Sequence, residues 1–291
     1  MMCATCGCSG GGAVISGAGG DEHRHDHDHD HDHVHTHADG TTHSHAHAGD
    51  HGHDHDHGAR RTQAPVPGRD ARTIELETAV LAKNQALAER NRGWFAGRGV
   101  LALNLMSSPG AGKTTLIERT IRDIAGEVPI GVVEGDQETA RDAERIRATG
   151  APAVQINTGT GCHLEADMLA RAVWRLQPPA GSVLIVENVG NLVCPALFDL
   201  GEAARIVIFS VTEGEDKPLK YPHMFRAADV LLLSKVDLLP HLRVDLRQMI
   251  DNARTINPGL VVLPVSAYDG SGLDAWYGWL RGRVAEARAA A

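Results

Sequence analysis

A run of small residues ending in a lysine and a threonine is typical of a phosphate-binding loop. The run Ser107-Ser-Pro-Gly-Ala-Gly-Lys-Thr114 follows an apolar stretch and precedes a helical pattern, which is the strand, turn and helix order that such loops require. Ser107 stands where the consensus has its first glycine. Backbone amides at the start of the helix would face phosphate oxygens. The predicted phosphate-binding residues are Gly110, Ala111, Gly112, Lys113, Thr114 and Thr115.

The side chains of this loop have separate predicted roles. Lys113 is expected to reach the β- and γ-phosphate oxygens, and Thr114 to bind Mg²⁺. Thr115 is expected near the α-phosphate.

Two later motifs indicate which base the loop serves. Ser234-Lys-Val-Asp237 ends an apolar stretch and is close to the N-K-x-D sequence that reads guanine. The carboxylate of Asp237 can accept from N1–H and from the amine of guanine, whereas adenine offers neither donor. Lys235 can lay its aliphatic stem over the base, and Ser266-Ala267 resembles the loop that offers a backbone amide to guanine O6. The motifs favour GTP over ATP, although Ser234 replaces the usual Asn.

Acidic residues follow two other apolar stretches. Asp136 is predicted to lie in the Mg²⁺ shell, and Glu187 near the metal or the attacking water. Gly190 is expected to give its amide to the γ-phosphate. Hydrolysis would then depend on positioning and on charge neutralisation, with Lys113, Asp136 and Glu187 as the catalytic residues. No glutamine follows Gly190, so slow turnover is expected. Alternatively, the two acids are strand-end carboxylates that cap helices.

A metal site is predicted from residues that the nucleotide motifs leave unused. Cys162 and His163 follow a glycine-rich segment, and Cys194 comes seven residues after Glu187. Together they supply two sulfur atoms and one nitrogen for nickel or zinc. Taken singly, each is as well explained as a buried thiol or a core histidine.

A second thiol cluster lies at the N-terminus. Cys3, Cys6 and Cys8 form C-x-x-C-x-C, and three thiolates this close can surround one nickel or zinc ion. The alternatives are half of an iron–sulfur ligand set, or reactive thiols without a metal.

Histidine and negative charge are concentrated in residues 1–58. This segment holds ten carboxylates against one basic residue, so it carries the whole formal net charge of −9, and it holds 15 of the 18 histidines. Because neutral imidazole is a good ligand for Ni²⁺, Cu²⁺, Co²⁺ and Zn²⁺, we predict a metal store, and the histidines alone do not select one of these ions. An incidental acidic tail or an expression tag is the alternative. The store begins with His25, His27, His29, His31 and His33.

The charge distribution also excludes some functions. A globular body in which acidic and basic residues balance, joined to an acidic tail, does not attract nucleic acid or an anionic membrane. No stretch approaches the ~20 apolar residues of a transmembrane helix, and no signal peptide is evident. An odd number of cysteines, five, fits a reduced, cytoplasmic setting.

The predicted elements define two regions. Residues 9–72 have almost no large apolar side chains and should be disordered, so residues 1–72 form a metal-binding tail with its Cys motif at 3–8 and its His/Asp-rich part at 21–58. Residues 73–291 alternate continuous apolar strands with helices, which predicts a doubly wound, mostly parallel α/β domain. Strands are expected at 100–106, 130–134, 153–156, 183–186, 206–210, 230–233 and 260–265, and helices at 73–92, 113–125, 138–148, 163–176, 240–256 and 272–286.

These motifs together resemble the HypB family of hydrogenase nickel-incorporation GTPases. The resemblance covers essentially the whole chain and is carried by residues 3–8, 107–114, 134–136, 161–163, 187–195 and 212–222. It implies the dimerising SIMIBI type of P-loop GTPase fold, with nickel held tightly by residues 3–8 and a second site formed by Cys162, His163 and Cys194. It also places Lys217 and Lys220 near the nucleotide or the dimer contact.

The resemblance further implies partners and a reaction. Expected are GTP hydrolysis with Mg²⁺, a homodimer favoured by GTP or metal, and nickel delivery to the large subunit of [NiFe]-hydrogenase together with the zinc-containing partner HypA. The nearest alternative is UreG, the urease nickel GTPase, which is expected to have a Cys-Pro-His motif instead of Cys162-His163. The second alternative is a nickel or zinc storage protein with a degenerate GTPase domain.

Overall fold

The computed structural model describes residues 33–36, 42–45, 71–136, 141–159 and 161–291. The first two ranges form an antiparallel pair, β1 (His33–Thr36) and β2 (Thr42–His45), with His33 opposite His45. This strand pair belongs to a unit of its own. The sequence predicted no regular structure here, but β-branched Val34, Thr36 and Thr42 alternate with polar residues, and such residues favour strands.

The large body is built on seven parallel strands, as predicted. Their order across the sheet is β5-β4-β6-β3-β7-β8-β9, and every pair is parallel. Continuous burial of the central strands explains their apolar sequences, because both faces of a parallel sheet are covered. The strands are β3 (Leu101–Ser107), β4 (Ile130–Asp136), β5 (Ala153–Asn157), β6 (Val183–Glu187), β7 (Ala204–Ser210), β8 (Val230–Ser234) and β9 (Val261–Pro264).

Helices cover both faces of this sheet. They are α1 (Ala71–Ala96), α2 (Lys113–Ile124), α3 (Arg141–Ala148), α4 (Ala166–Leu176), α5 (Lys217–Lys220), α6 (Pro222–Ala227), α7 (Leu246–Ile256) and α8 (Leu273–Ala289). Alternate residues of β3 point to opposite faces. Leu103 packs in one cluster with α2, α3 and α8, while Ala102 packs with α1 and α4. Helices α6 and α7 cover the same face as α1, toward β7 and β8.

Some predicted boundaries were wrong. The helix predicted at 240–256 begins at Leu246, because Asp245 caps it by accepting from the amides of Arg247 and Gln248. The preceding residues form a 3-10 helix, Val236–His241. Helix α1 begins two residues before the predicted position and continues to Ala96. No helix in the described part of the chain is long and apolar enough to cross a membrane.

Candidate nucleotide and metal sites

The phosphate-binding loop joins the end of β3 to the start of α2. Gly110 and Gly112 have φ values of 74° and 100°, a region that glycine enters without the steric cost of a side chain. Lys113 is buried, and its Nζ donates a 2.9 Å hydrogen bond to Oγ of Ser107. Burial lowers the pKa of Lys113 despite the opposing attraction of Glu187. Ser107 therefore holds the lysine across the loop.

A threonine and a buried carboxylate meet beside this loop. Oγ1 of Thr114 donates a 2.7 Å hydrogen bond to Oε1 of Glu187 at the end of β6. Glu134 of β4 is the register partner of Glu187. Burial raises the pKa of Glu187 to about 7, and burial together with the charge of Glu187 raises the pKa of Glu134 to about 8.

These two carboxylates fit a divalent cation. The Oε2 atom of each is buried without a hydrogen-bond partner among the described residues. Carboxylate and hydroxyl oxygens are the ligands that Mg²⁺ prefers, and a cation would also relieve the repulsion between the two acids. Asp136, the predicted ligand, lies half-buried at the end of β4 and lines the same cavity.

Glu134 was missed as a site residue although its motif was noted. Residues two apart on a strand share a face, so Glu134 and Asp136 point the same way. That periodicity was the signal available in the sequence.

The loop and the acids line a cavity of about 540 Å³. Gly190 also lines it, and an added Cβ there would lie 3.2 Å from the backbone of Pro109. Helix α3 contributes Asp142 and Arg145, which the sequence did not single out. Nη2 of Arg145 donates to Oγ1 of Thr115 at 3.1 Å. No local motif marks α3. Asp142 and Arg145 reach the cavity only because α3 packs beside α2.

The predicted guanine-reading residues contact the phosphate loop and each other. Oγ of Ser234 donates to the carbonyl of Ala111 at 2.7 Å, and Nζ of Lys235 donates to the carbonyl of Gly110 at 2.8 Å. Ser234, the departure from the usual Asn, therefore braces the loop. Oγ of Ser266 donates to Oδ1 of Asp237 at 2.6 Å, which orients that carboxylate.

The adjoining loop carries the second part of the predicted base site. The carbonyl of Ala267 accepts from Nη1 of Arg119 at 3.3 Å. Oγ of Ser266 also accepts from the amide of Tyr268 at 3.1 Å. Side chains of Arg119 and Ser266 thus hold the backbone of this turn at Ala267 and Tyr268.

Cys162, His163 and Cys194 come together as the sequence predicted. One ligand atom from each lies within 4.8 Å of the others. The sulfur atoms are 2.8 Å apart, well beyond the roughly 2.05 Å of a disulfide bond. Nδ1 of His163 is 3.7 Å from Sγ of Cys162.

The histidine of this cluster has a neutral ring and a ring nitrogen available to a metal ion. Burial lowers the pKa of His163, which favours the neutral ring that ligates metals. The ring stacks on Phe198 with centroids 3.8 Å apart, and its buried Nε2 has no hydrogen-bond partner among the described residues. Two sulfur atoms and an imidazole nitrogen suit zinc or nickel.

The metal cluster and the nucleotide cavity are joined by two contacts. The amide of Leu164, next to His163, donates to Oδ1 of Asn188 at 3.2 Å, and Asn188 directly follows Glu187. At Gly135 of β4, an added Cβ would lie 2.8 Å from Cδ2 of Leu164. The loop with His163 therefore packs against both acidic strand ends.

Cys3, Cys6, Cys8, His25, His27, His29 and His31 lie outside the described residues, and His33 begins β1.

Comparison with known proteins identifies the family. The nucleotide-binding domain of the CobW/HypB/UreG family matches residues 101–264. Hydrogenase maturation factor HypB of Escherichia coli (strain K12) is 55% identical over 223 residues, which are 77% of each chain. The chain belongs to the HypB family of hydrogenase maturation factors. The resemblance predicted from the motifs is confirmed.

Solved structures of HypB proteins share this architecture. HypB from Archaeoglobus fulgidus aligns with a TM-score of 0.66 and 42% identity, covering 70% of this chain and 99% of that one. HypB from Helicobacter pylori in complex with nickel aligns with a TM-score of 0.66 and 39% identity, covering 70% and 96%. The predicted doubly wound fold is therefore confirmed, and the HypB assignment is favoured over UreG.

The HypB-like block at 212–222 contacts the phosphate loop. The carboxylate of Glu213 accepts a hydrogen bond from Oγ of Ser108 and pairs with Nζ of Lys217 at 2.6 Å. Lys220 is exposed and pairs with Asp216. Glu213 therefore links Lys217 to the phosphate loop, whereas Lys220 faces solvent.

Proposed function

We propose that the chain is a GTP-hydrolysing nickel metallochaperone that serves hydrogenase maturation. The observation that carries the proposal is the loop after β6. It begins at Glu187, which bonds the Thr114 hydroxyl, and it contains Cys194 of the metal cluster. A change at the nucleotide would therefore be transmitted directly to a metal ligand.

The nucleotide site has defined tasks for its residues. Lys113 would neutralise β- and γ-phosphate oxygens while the amides of residues 110–115 orient them. Asp237 would select guanine through its N1–H and amine. Gly190 would give its amide to the γ-phosphate.

Thr114, Asp136, Glu187 and Glu134 would hold Mg²⁺. When bound, Mg²⁺ supplies charge neutralisation at the phosphates.

Nickel is the cargo in this proposal. Cys162, His163 and Cys194 would hold one ion, nickel or zinc, in the body of the protein. Cys3, Cys6 and Cys8 would form a delivery site, and His25, His27, His29, His31 and His33 would begin a low-selectivity store. The nickel complex of the Helicobacter pylori relative supports nickel as the ion.

The proposed partners follow from family membership. They are a HypA-like zinc and nickel accessory protein, the large subunit of [NiFe]-hydrogenase, and a second copy of this chain, bound when GTP or metal is present. The proposed setting is the cytoplasm.

The proposal can be tested in a host that lacks its own HypB gene and makes a [NiFe]-hydrogenase. The full chain should restore hydrogenase activity at low nickel. Lys113→Ala should lose GTP hydrolysis and restoration together, whereas Lys83→Ala, on an exposed position of α1, should retain both. If Lys113→Ala loses hydrolysis but restores hydrogenase fully, the chain is a storage protein.

The tail can be tested separately. Deleting residues 21–58 should lower the nickel bound per chain, measured by elemental analysis, while GTP hydrolysis is retained. Loss of hydrolysis on this deletion would contradict a pure storage role.

A further inference from the structure

Two asparagines on α1 are buried on one face of the helix. Asn84 and Asn91 are 5% and 9% exposed. They are seven residues apart, and residues at this spacing lie on the same side of an α-helix. Polar side chains at such depth need hydrogen-bond partners.

Both asparagines join the same two loops. Nδ2 of Asn91 donates to the carbonyl of Ala166 at 2.9 Å and to the carbonyl of Leu200 at 3.0 Å. Asn84, two turns earlier on α1, also makes one hydrogen bond to each loop. Its Oδ1 accepts from the amide of Ala166 at 2.9 Å, and its Nδ2 donates to the carbonyl of Asp199 at 2.7 Å.

The loops joined in this way are those that carry the metal ligands. Ala166 begins α4 three residues after His163, and Asp199 and Leu200 directly follow Phe198. Phe198 stacks on the His163 ring and belongs to the same loop as Cys194. Hence α1 holds the Cys162–His163 loop and the Cys194 loop side by side.

The backbone of the second loop lies directly on α1. At Gly201, an added Cβ would lie 2.4 Å from the carbonyl oxygen of Ala88 and 2.8 Å from the amide nitrogen of Arg92. Its φ of +86° also disfavours other residues. This close approach leaves little freedom for the loop to slide along the helix.

We propose that Asn84 and Asn91 are positioning residues for the Cys162, His163 and Cys194 metal site. The proposal rests on the metal-binding part of the proposed function. Three ligand atoms from two loops can converge only if the loops keep their separation, and the two asparagines contribute four hydrogen bonds from α1 that hold it. Groups that orient metal ligands typically change metal affinity by about 10- to 100-fold when they are removed.

The experiment uses the full-length chain with Cys3, Cys6 and Cys8 changed to serine, which leaves two of the five cysteines. Cobalt(II) is the probe, because its thiolate charge-transfer absorption reports only the remaining sulfur ligands. Titration gives the affinity, and the d–d bands give the geometry. The His-rich tail competes equally in every variant.

Asn91→Ala should weaken cobalt binding at the thiolates by roughly tenfold or more and shift the d–d bands. Affinity for a fluorescent GDP analogue should stay unchanged. The matched control is Lys83→Ala, on an exposed position of the same helix, which should behave like the parent. If Asn91→Ala does not fold, Asn84→Ala serves, because it removes the bonds to Ala166 and Asp199 without burying a charge and leaves the bonds of Asn91 in place.

Failure of the positioning role and failure of the metal site itself give different results. Parental cobalt affinity and spectrum in a folded Asn91→Ala or Asn84→Ala variant would overturn the positioning role. If Cys162→Ser with Cys194→Ser leaves the charge-transfer absorption in place, the proposed metal site itself is wrong.

Discussion

Thr114 and Glu187 are 73 residues apart in the chain, yet the threonine hydroxyl donates a 2.7 Å hydrogen bond to the glutamate carboxylate. The bond ties the first turn of α2 to the end of β6. Both strands that frame it, β3 and β6, are neighbours in the sheet, so their carboxyl ends open onto the same cavity. This pair is the point at which the phosphate loop meets the loop that carries Cys194.

We expect Glu187→Gln to slow GTP hydrolysis by about 100-fold, because an amide keeps the shape but neutralises a carboxylate placed to hold Mg²⁺. Phosphate release at saturating Mg²⁺ measures the effect. Glu127→Gln removes a charge from an exposed ion pair with Arg281 and is the control. Equal rates for the two variants would show that Glu187 has no part in the reaction.

We expect Asp237→Asn to exchange guanine for xanthine specificity. Xanthine has a carbonyl where guanine has its amine, so an amide donor suits it and a carboxylate does not. The bond from Ser266 can still be made to the amide oxygen. Affinity for GTP should fall by about 100-fold or more, while that for xanthosine triphosphate rises.

Competition binding of the two nucleotides measures this exchange. Asp274→Asn, on the first turn of α8, should leave both affinities as they are. Retained preference of Asp237→Asn for GTP would refute the base assignment.

We expect Arg145→Ala to weaken binding of GTP by about tenfold, the usual contribution of one hydrogen bond to a charged group. Arg145 lines the cavity and bonds Thr115, which lies beside the predicted α-phosphate. Isothermal titration calorimetry gives the affinity. Arg147→Ala, on the same helix and bonded to the carbonyl of Ala153, should bind like the parent, and identical affinities for both variants would argue against a nucleotide contact.

We expect the ion pair between Asp199 and Arg92 to make stability depend on acid pH. Burial alone would raise the pKa of Asp199, but the amide of Gly201, Glu202 and the guanidinium of Arg92 outweigh it and hold the pKa below its ordinary 3.8. A lowered carboxyl pKa stabilises the fold above the ordinary value, and this stability is lost as pH falls through the lowered one.

Urea unfolding at pH 6 and at pH 3 measures this loss. Asp199→Asn should unfold more easily than the parent at pH 6, by up to about 1 kcal/mol, and the gap should narrow at pH 3, below the ordinary pKa of the carboxyl. A gap as large at pH 3 as at pH 6 would mean that the charge of Asp199 is not its cause.

The parts of the site that could be predicted are contiguous in sequence. The phosphate loop, the guanine motif ending at Asp237 and the pair Cys162-His163 each carry their chemistry within a few residues, so their spacing alone is informative. The seven strands were predictable for a related reason, since double-sided burial forces apolar runs.

Contacts between distant segments could not be predicted in this way. Arg145 reaches Thr115 only because α3 packs beside α2, and neither helix carries a motif for it. The hairpin in the His-rich segment and the late start of α7 depended on local strand preference and a helix cap, which compositional reasoning overlooked.

The sequence by itself determined which chemistry to expect of the chain, because phosphate, guanine and metal recognition each need particular side chains in short runs. Only the tertiary structure decided that Glu134 lies opposite Glu187, that Arg145 reaches Thr115, and that two asparagines of α1 span both metal-bearing loops. The physical reason is that parallel strands bring their carboxyl ends to one edge of the sheet. Which residues then meet across that edge depends on helix packing and buried hydrogen bonds, and no local pattern records these.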